Sequence, residues 1–325
     1  MLFVMFTERM NEMSRQIVTS SNINNSDFAS SKENGTSLVA DLKSLFKFPV
    51  LIANAVPVFA GFWLAVYFTG ASFAANFDIF LLTIIGSTLV MGGALVINNW
   101  YDVDIDTVMD RTKSRPTVTG SMQLRTVLWI GLITSAIGFI MLLFTTLEAT
   151  LYTFIGWFTY VVLYTMWSKR RYTLNTVIGS ISGAVTPLIG WAALEPASHI
   201  VPIVLALIIF IWQMPHTFAI AIRKYDEYKA ANVAMLPVVH GMAITKRQMV
   251  IYIACLLPLP FFLFSLGTAF VVIATLLNAG YLALAFSGLF SRDTRKWADK
   301  MFMVSVNYLM VIFITAIIVT LPWSG

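Results

Sequence analysis

The chain has 325 residues, 58% of them hydrophobic and 11% charged, with a mean hydropathy of +0.80. Soluble domains carry about 25% charged residues, so this composition excludes a water-soluble globular protein and describes an integral membrane one. The formal charge of +5 fits the basic side of a membrane protein facing anionic lipid, and no nucleic-acid role is assigned.

In chain order, residues 1–40 come first. The stretch "TSSNINNSDFASSKENGTS" is too polar to bury a core, so this segment is predicted to be a disordered cytoplasmic tail. The opening "MLFVMF" is too short for a signal-peptide core and has no small-residue cleavage site after it. Residues 41–325 form the membrane domain. Runs of the length that spans a bilayer as helix, roughly 20 residues, recur at 50–70, 79–98, 126–146, 149–168, 175–194, 200–222, 249–267, 269–290 and 301–321, which makes nine predicted spans. The lone Cys255 lies within one of them, so neither an intramolecular disulfide nor a paired-cysteine metal or redox motif is available.

Charge placement sets the orientation. With the N-terminus inside, all 21 Lys and Arg fall in cytoplasmic segments and the C-terminus lies outside, as the positive-inside rule requires. The external connections hold only Asp78, Glu148 and Glu195. Two cytoplasmic connections are long, 99–125 and 223–248. Each follows an even-numbered span and opens with acidic residues, which hints at a weak internal repeat.

The first of these, "NNWYDVDIDTVMDRTKSRP", is the densest charge in the chain. If helix two continues past residue 98, Asn98, Asp102, Asp106 and Asp110 share one face, and Asp104 points elsewhere. Carboxylates at i and i+4 repel, so the stripe calls for a cation. Mg²⁺ is typically held by one or two carboxylates together with substrate phosphates. Arg111, Lys113 and Arg115 follow at spacing two, and Pro116 and Gly120 argue against further helix. Such a loop suits a diphosphate, and it also suits a membrane anchor.

The second connection carries Asp226 and Glu227, about 100° apart on a helix, so that one of them can join a shared ion. A third basic cluster holds Tyr164, Lys169, Arg170 and Arg171. In span six, "IWQMPHTF" places Trp212, Gln213, Pro215 and His216 in an apolar run. Polar residues there mark a site or an interhelical hydrogen bond, and a histidine can ligate haem iron; the residues alone leave both roles for His216 open.

Together "NNWYDVDID...RTKSRPTVTG", "VVLYTMWSKRRYTLNTVIGSISGAVTPLIGW", "IWQMPH" and "EYKAANVAMLPVVHG" resemble the UbiA superfamily of intramembrane prenyltransferases, and within it the branch that farnesylates protohaem IX. The resemblance runs from about residue 45 to the C-terminus. It implies an all-α bundle of nine transmembrane helices around a central cavity open to the cytoplasm. The implied reaction moves farnesyl from farnesyl diphosphate to the 2-vinyl group of haem b, with addition of water. By motif match, Asn98, Asp102 and Asp106 would bind Mg²⁺ and diphosphate beside Arg111, Lys113 and Arg115. Lys169 and Arg170 match a further basic element that joins the two aspartates in catalysis. Asp226 or Glu227 would hold a second metal, and Tyr164, Trp212, Gln213 and His216 would contact substrate. A downstream haem A synthase is the partner such a pathway implies. Two rivals are a quinone-precursor prenyltransferase of the same superfamily and a transporter. The Trp-Gln-x-Pro-His element opposes the first; acidic clusters at one face, where a transporter would place its site near the midplane, oppose the second.

Overall fold

The computed structural model describes residues 38–322, and among them it contains only helices, turns and loops. The expected tail, 1–40, lies outside the described residues except for its last three. The first described helix is α1, Leu38–Phe46. Lys47 follows in the left-handed region, φ 50°, with Pro49 just after it. A lysine there is conformationally costly, and the bend it makes aims its ammonium back into the domain.

The bundle then comprises α2 (Phe48–Thr69), α3 (Phe77–Tyr101), the short α4 (Val103–Val108) and α5 (Pro116–Thr119), α6 (Leu124–Leu143) and α7 (Leu147–Phe158). After α7 the chain widens into a π-helix, Thr159–Ser168. Next come α8 (Asn175–Ala184), α9 (Thr186–Ala192), α10 (Ile200–Arg223), the short α11 (Tyr225–Ala230) and α12 (Leu236–Ala254). A 3₁₀ segment, Leu259–Leu266, leads into α13 (Thr268–Ser287) and α14 (Thr294–Ile318).

Among the described residues eight helical segments are long and apolar enough to cross a membrane, where nine were expected. The difference is the predicted span at 175–194, which is broken into α8 and α9 at Val185. Pro187 causes the break, because it has no N–H to give the Gly183 carbonyl. The Thr186 hydroxyl takes that carbonyl instead, at 2.6 Å, which spares a buried acceptor. The pair still runs from one end of the bundle to the other. Asn175, at its start, donates to the Lys169 carbonyl at 3.2 Å, and the Ala192 carbonyl, at its end, accepts from Thr146 at 2.6 Å.

Two further boundaries differ from expectation. α3 stops at Tyr101, with Asp102 capping it, so the helix does not carry the acidic stripe as one continuous rod. α12 begins at Leu236, well before the expected 249, and bends at Gly241, whose φ of 82° suits glycine.

Close crossings set the positions of the helices that matter for function. Gly93 and Gly138 of the α3–α6 pair leave no room for a Cβ against the partner helix's carbonyls, and Gly61 and Gly190 do the same between α2 and α9. In lipid, where apolar side chains gain nothing by leaving solvent, small residues that let backbones approach supply much of the packing. The two long connections meet at the charged end, where Ile105 and Met109 of the first pack with Ala221, Val233 and Met235 around the second.

Candidate active site

The acidic stripe survives the end of α3 because α4 resumes in register: the Asp106 N–H donates to the Asp102 carbonyl at 2.9 Å. Asn98, Asp102 and Asp106 are all buried. Asp110 is not with them. Met109 is extended, ψ 123°, which throws Asp110 to the surface, where it pairs with exposed Lys113 at 2.9 Å.

Each member of the stripe is held by a base from a different element. Lys47 donates to Asn98 Oδ1 at 2.8 Å, and the Asn98 amide donates to Asp102 Oδ2 at 2.6 Å and to Thr165 Oγ1 at 3.1 Å. Lys169 is ion-paired to Asp102. Arg170 forks onto Asp104 at 2.5 and 2.8 Å and reaches Asp102 Oδ1 at 3.4 Å. Arg115 pairs with Asp106 at 2.5 Å. The loop brings Arg115 there because the Thr112 hydroxyl donates to the Asp106 carbonyl at 2.9 Å, folding the chain back before Pro116. Of the three expected loop cations, then, only Arg115 meets the stripe; Lys113 serves Asp110, and Arg111 is exposed.

The π-helix explains how Lys169 arrives. Its N–H reaches back five residues to the Tyr164 carbonyl, at 2.9 Å, and this wider turn displaces the side chains that follow. Burial opposes the ammonium of Lys169, yet Asp102, with Tyr164 and Tyr160 behind it, holds its pKa above the ordinary lysine value. Burial likewise opposes the charge of Arg170, and Asp104 and Asp102 more than offset it. Lys47 is the contrary case: burial, then Arg115 and Lys169 nearby, push its pKa well below the ordinary value.

Beneath this charged cluster lies a cavity of about 280 Å³, near the lower end of the ~300–1,000 Å³ usual for ligand pockets. Tyr160 and Tyr164 stand between it and the charges. Their rings are 5.7 Å apart, and Lys169 Nζ sits 5.8 Å from the Tyr164 ring centre. Val90, Leu95 and Ile189 line it with Gly156, Gly179 and Gly183, and Gln213 and Thr217 of α10 are among several polar side chains in its wall.

Trp212 and His216 face away from that cavity and pack on α14. Trp212 donates to the Ser305 carbonyl at 2.8 Å, and His216 Nδ1 lies 2.7 Å from Ser305 Oγ. The Ser305 hydroxyl gives its proton to the Phe302 carbonyl at 2.6 Å, so Nδ1 carries the imidazole hydrogen. The ring is stacked between Trp212, at 4.6 Å, and Phe302, at 5.3 Å. In the second acidic pair the two carboxylates part company. Asp226 is exposed, whereas Glu227 takes Lys224 on Oε1 at 2.6 Å and keeps a buried Oε2 without a partner. Among the described residues no three His, Cys, Asp or Glu side chains converge as a ready-made metal cage.

Sequence reasoning passed over Lys47, counted only as a topological charge, and Tyr160 and Thr165, hidden in an apolar run. A lysine immediately before a span and a tyrosine four residues ahead of Tyr164 were the available signals.

A membrane bundle with a buried acid–base cluster over an apolar cavity is the architecture of an intramembrane prenyltransferase. Residues 54–306 match the UbiA prenyltransferase family, and the chain belongs to it. It is 58% identical over 294 residues to the protoheme IX farnesyltransferase of Oceanobacillus iheyensis, covering 90% of this chain and 94% of that one. It is 53% identical over 281 residues to protoheme IX farnesyltransferase 2 of Bacillus subtilis, covering 86% and 92%. Among solved structures, a digeranylgeranylglyceryl phosphate synthase shares the fold with a TM-score of 0.70 at 16% identity, over 88% of this chain and 99% of that one. A UbiA homolog from Archaeoglobus fulgidus bound to DMAPP and Mg²⁺ follows at 0.66 and 16%, over 85% and 99%. The protein is therefore a multi-pass membrane prenyltransferase.

Proposed function

We propose that the protein transfers the farnesyl group of farnesyl diphosphate to the 2-vinyl group of haem b, with addition of water. The observation that carries this reading is the buried Asn98–Asp102–Asp106 stripe, with Tyr160 and Tyr164 between it and a mostly apolar cavity, in a chain 58% identical to a protoheme IX farnesyltransferase. The same likeness favours haem over a quinone precursor as acceptor, and the placement of every acidic cluster at one end disfavours a transporter.

Diphosphate docks where Arg115, Lys169 and Arg170 converge, with Lys47 behind Asn98. These cations offset the charge that develops as the C–O bond breaks. Arg111 and Lys113, both exposed, serve the approach of the diphosphate and not its bound state. The residues fit Mg²⁺: Asn98, Asp102 and Asp106 would hold it, and the unpartnered Oε2 of Glu227 would offer a further oxygen ligand, whereas Asp226 is exposed. Such ions are commonly completed by substrate phosphates, which agrees with the lack of a preformed cage. When bound, the metal neutralises the leaving diphosphate. Tyr160 and Tyr164 turn aromatic faces toward the allylic fragment, and the apolar wall shields its positive charge from early capture by solvent.

His216, with Nδ1 protonated toward Ser305, leaves Nε2 as a lone-pair donor for a haem contact; Trp212 supports it by stacking. The N-terminus and the active site face the cytoplasm, and the C-terminus lies outside. Residues 41–325 make up the catalytic domain and 1–40 a cytoplasmic tail. A downstream haem A synthase is the expected consumer of the product.

The test is a product assay. Purified protein in lipid is given haem b, farnesyl diphosphate and Mg²⁺, and the extracted porphyrin is analysed by mass spectrometry with an EDTA control. Farnesylated haem that disappears with EDTA is the expected result; no adduct from folded, haem-binding protein overturns the acceptor assignment.

A further inference from the structure

The structure assigns a separate role to Gln213 and Thr217: together they hold the water that completes the reaction. This rests on the reading above. Among the polar side chains that line the cavity, Asn54, Thr153, Thr176, Ser180, Ser182 and Thr186 each donate to a neighbouring carbonyl oxygen, whereas Gln213 and Thr217, one helical turn apart on α10, share a face turned to the cavity. The Gln213 amide gives one N–H to the Ser180 carbonyl at 3.2 Å, which fixes its orientation. Its Oε1 and second N–H have no partner among the described residues, and neither has the Thr217 hydroxyl. An amide placed in such a cavity with free donor and acceptor is costly, and a water satisfies both groups. Gly183 keeps the place open, since a Cβ there would fall on the Gln213 amide.

The spacing matches the chemistry. Tyr164 lies against Gly179 and Gln213 against Gly183, one turn apart on α8, or about 6 Å. In the reaction the C1–O bond of farnesyl diphosphate breaks with its electron pair going to diphosphate. The vinyl π pair then forms the new C–C bond, leaving positive charge on the vinyl carbon attached to the porphyrin ring. That carbon is two bonds from C1, about 2.5 Å, and an attacking water stands about 3 Å beyond it. A farnesyl C1 over the Tyr164 face therefore puts the hydration site level with Gln213. The water oxygen supplies the pair for the C–O bond, and its proton goes to the released diphosphate. With no water held there, the same cation loses a proton from the neighbouring carbon and gives an alkene, lighter than the alcohol by one water.

The experiment compares products of wild type, Gln213→Leu and Thr217→Val in heavy-oxygen water, with haem b, farnesyl diphosphate and Mg²⁺. The quantity read is the ratio of alkene to labelled alcohol, which a general loss of folding or rate leaves unchanged. The expected result is a rise of about tenfold or more in Gln213→Leu, the scale of one lost hydrogen bond to the attacking water, and a smaller rise in Thr217→Val. Thr217→Val is isosteric and decides the matter if Gln213→Leu does not accumulate. A wild-type ratio in Thr217→Val, with either a wild-type ratio or no product in Gln213→Leu, overturns the inference. A wild-type protein that makes no farnesylated haem overturns the parent reaction, and this step with it.

Discussion

At the residue scale the site is a set of buried ion pairs, and their energetics separate chemistry from architecture. Asp102→Asn keeps the hydrogen-bonding shape but leaves Lys169 buried without a counter-charge, a loss of about 3–5 kcal/mol when one partner of such a pair is removed. Turnover is expected to fall by about 100-fold or more and the melting temperature to drop. Adding Lys169→Met should recover much of the stability and none of the turnover. Wild-type rates from Asp102→Asn would end the assignment of the stripe to diphosphate. His216→Ala removes a ring stacked on both faces and the partner of Ser305; it should lower stability by about 1–3 kcal/mol, read from thermal melts in detergent. If His216 contacts haem, the same variant weakens haem titration more than farnesyl diphosphate binding; an unchanged haem titration returns it to packing alone. The i, i+4 spacing made Asn98, Asp102 and Asp106 legible in advance, because α4 resumes the helical register after α3 ends, but the same spacing also included Asp110, which the extended Met109 removes from the stripe. Lys47 was not legible, since its reach depends on a left-handed turn, and Arg115 could not be told from Arg111 and Lys113 before the Thr112 hydrogen bond folded the loop.

At the scale of elements, two irregularities carry the site. The π-helix of Thr159–Ser168 delivers Thr165 to Asn98 and Lys169 to Asp102, and the break at Val185 sets the α9 half against α2. Hydropathy treats both stretches as ordinary spans, because it averages over residues and cannot register a changed hydrogen-bond period or a missing N–H. The α2–α9 crossing is tight enough to test. Gly190→Ala puts a methyl against the Val58 carbonyl, a backbone atom that cannot turn aside, and should cost at least about 2 kcal/mol. A variant that melts like wild type would show that the helices have room to part. Gly280, with no neighbour near its missing Cβ, is the control position, where alanine should be neutral or better.

For the whole molecule the governing fact is charge asymmetry. On the expected topology all 21 Lys and Arg fall on one side, and the acid–base cluster forms where the two long connections meet. Orientation can be read with a single thiol: in a Cys255→Ala background, Asp110→Cys and Glu195→Cys should label oppositely in sealed, right-side-out vesicles exposed to a membrane-impermeant maleimide. External labelling of position 195 alone is expected, and labelling of 110 alone would invert the topology. The sequence by itself determined that this is a helical membrane protein, which end is charged, and that an acidic stripe stands at a membrane exit; each follows from bilayer thickness, the cost of burying charge and the helical period, which act locally along the chain. Tertiary structure alone decided which cations close on the stripe, that Glu227 rather than Asp226 keeps an open carboxylate oxygen, and that Gln213 faces the cavity while His216 faces α14. Those outcomes depend on the partners met across the bundle, and no local spacing specifies them.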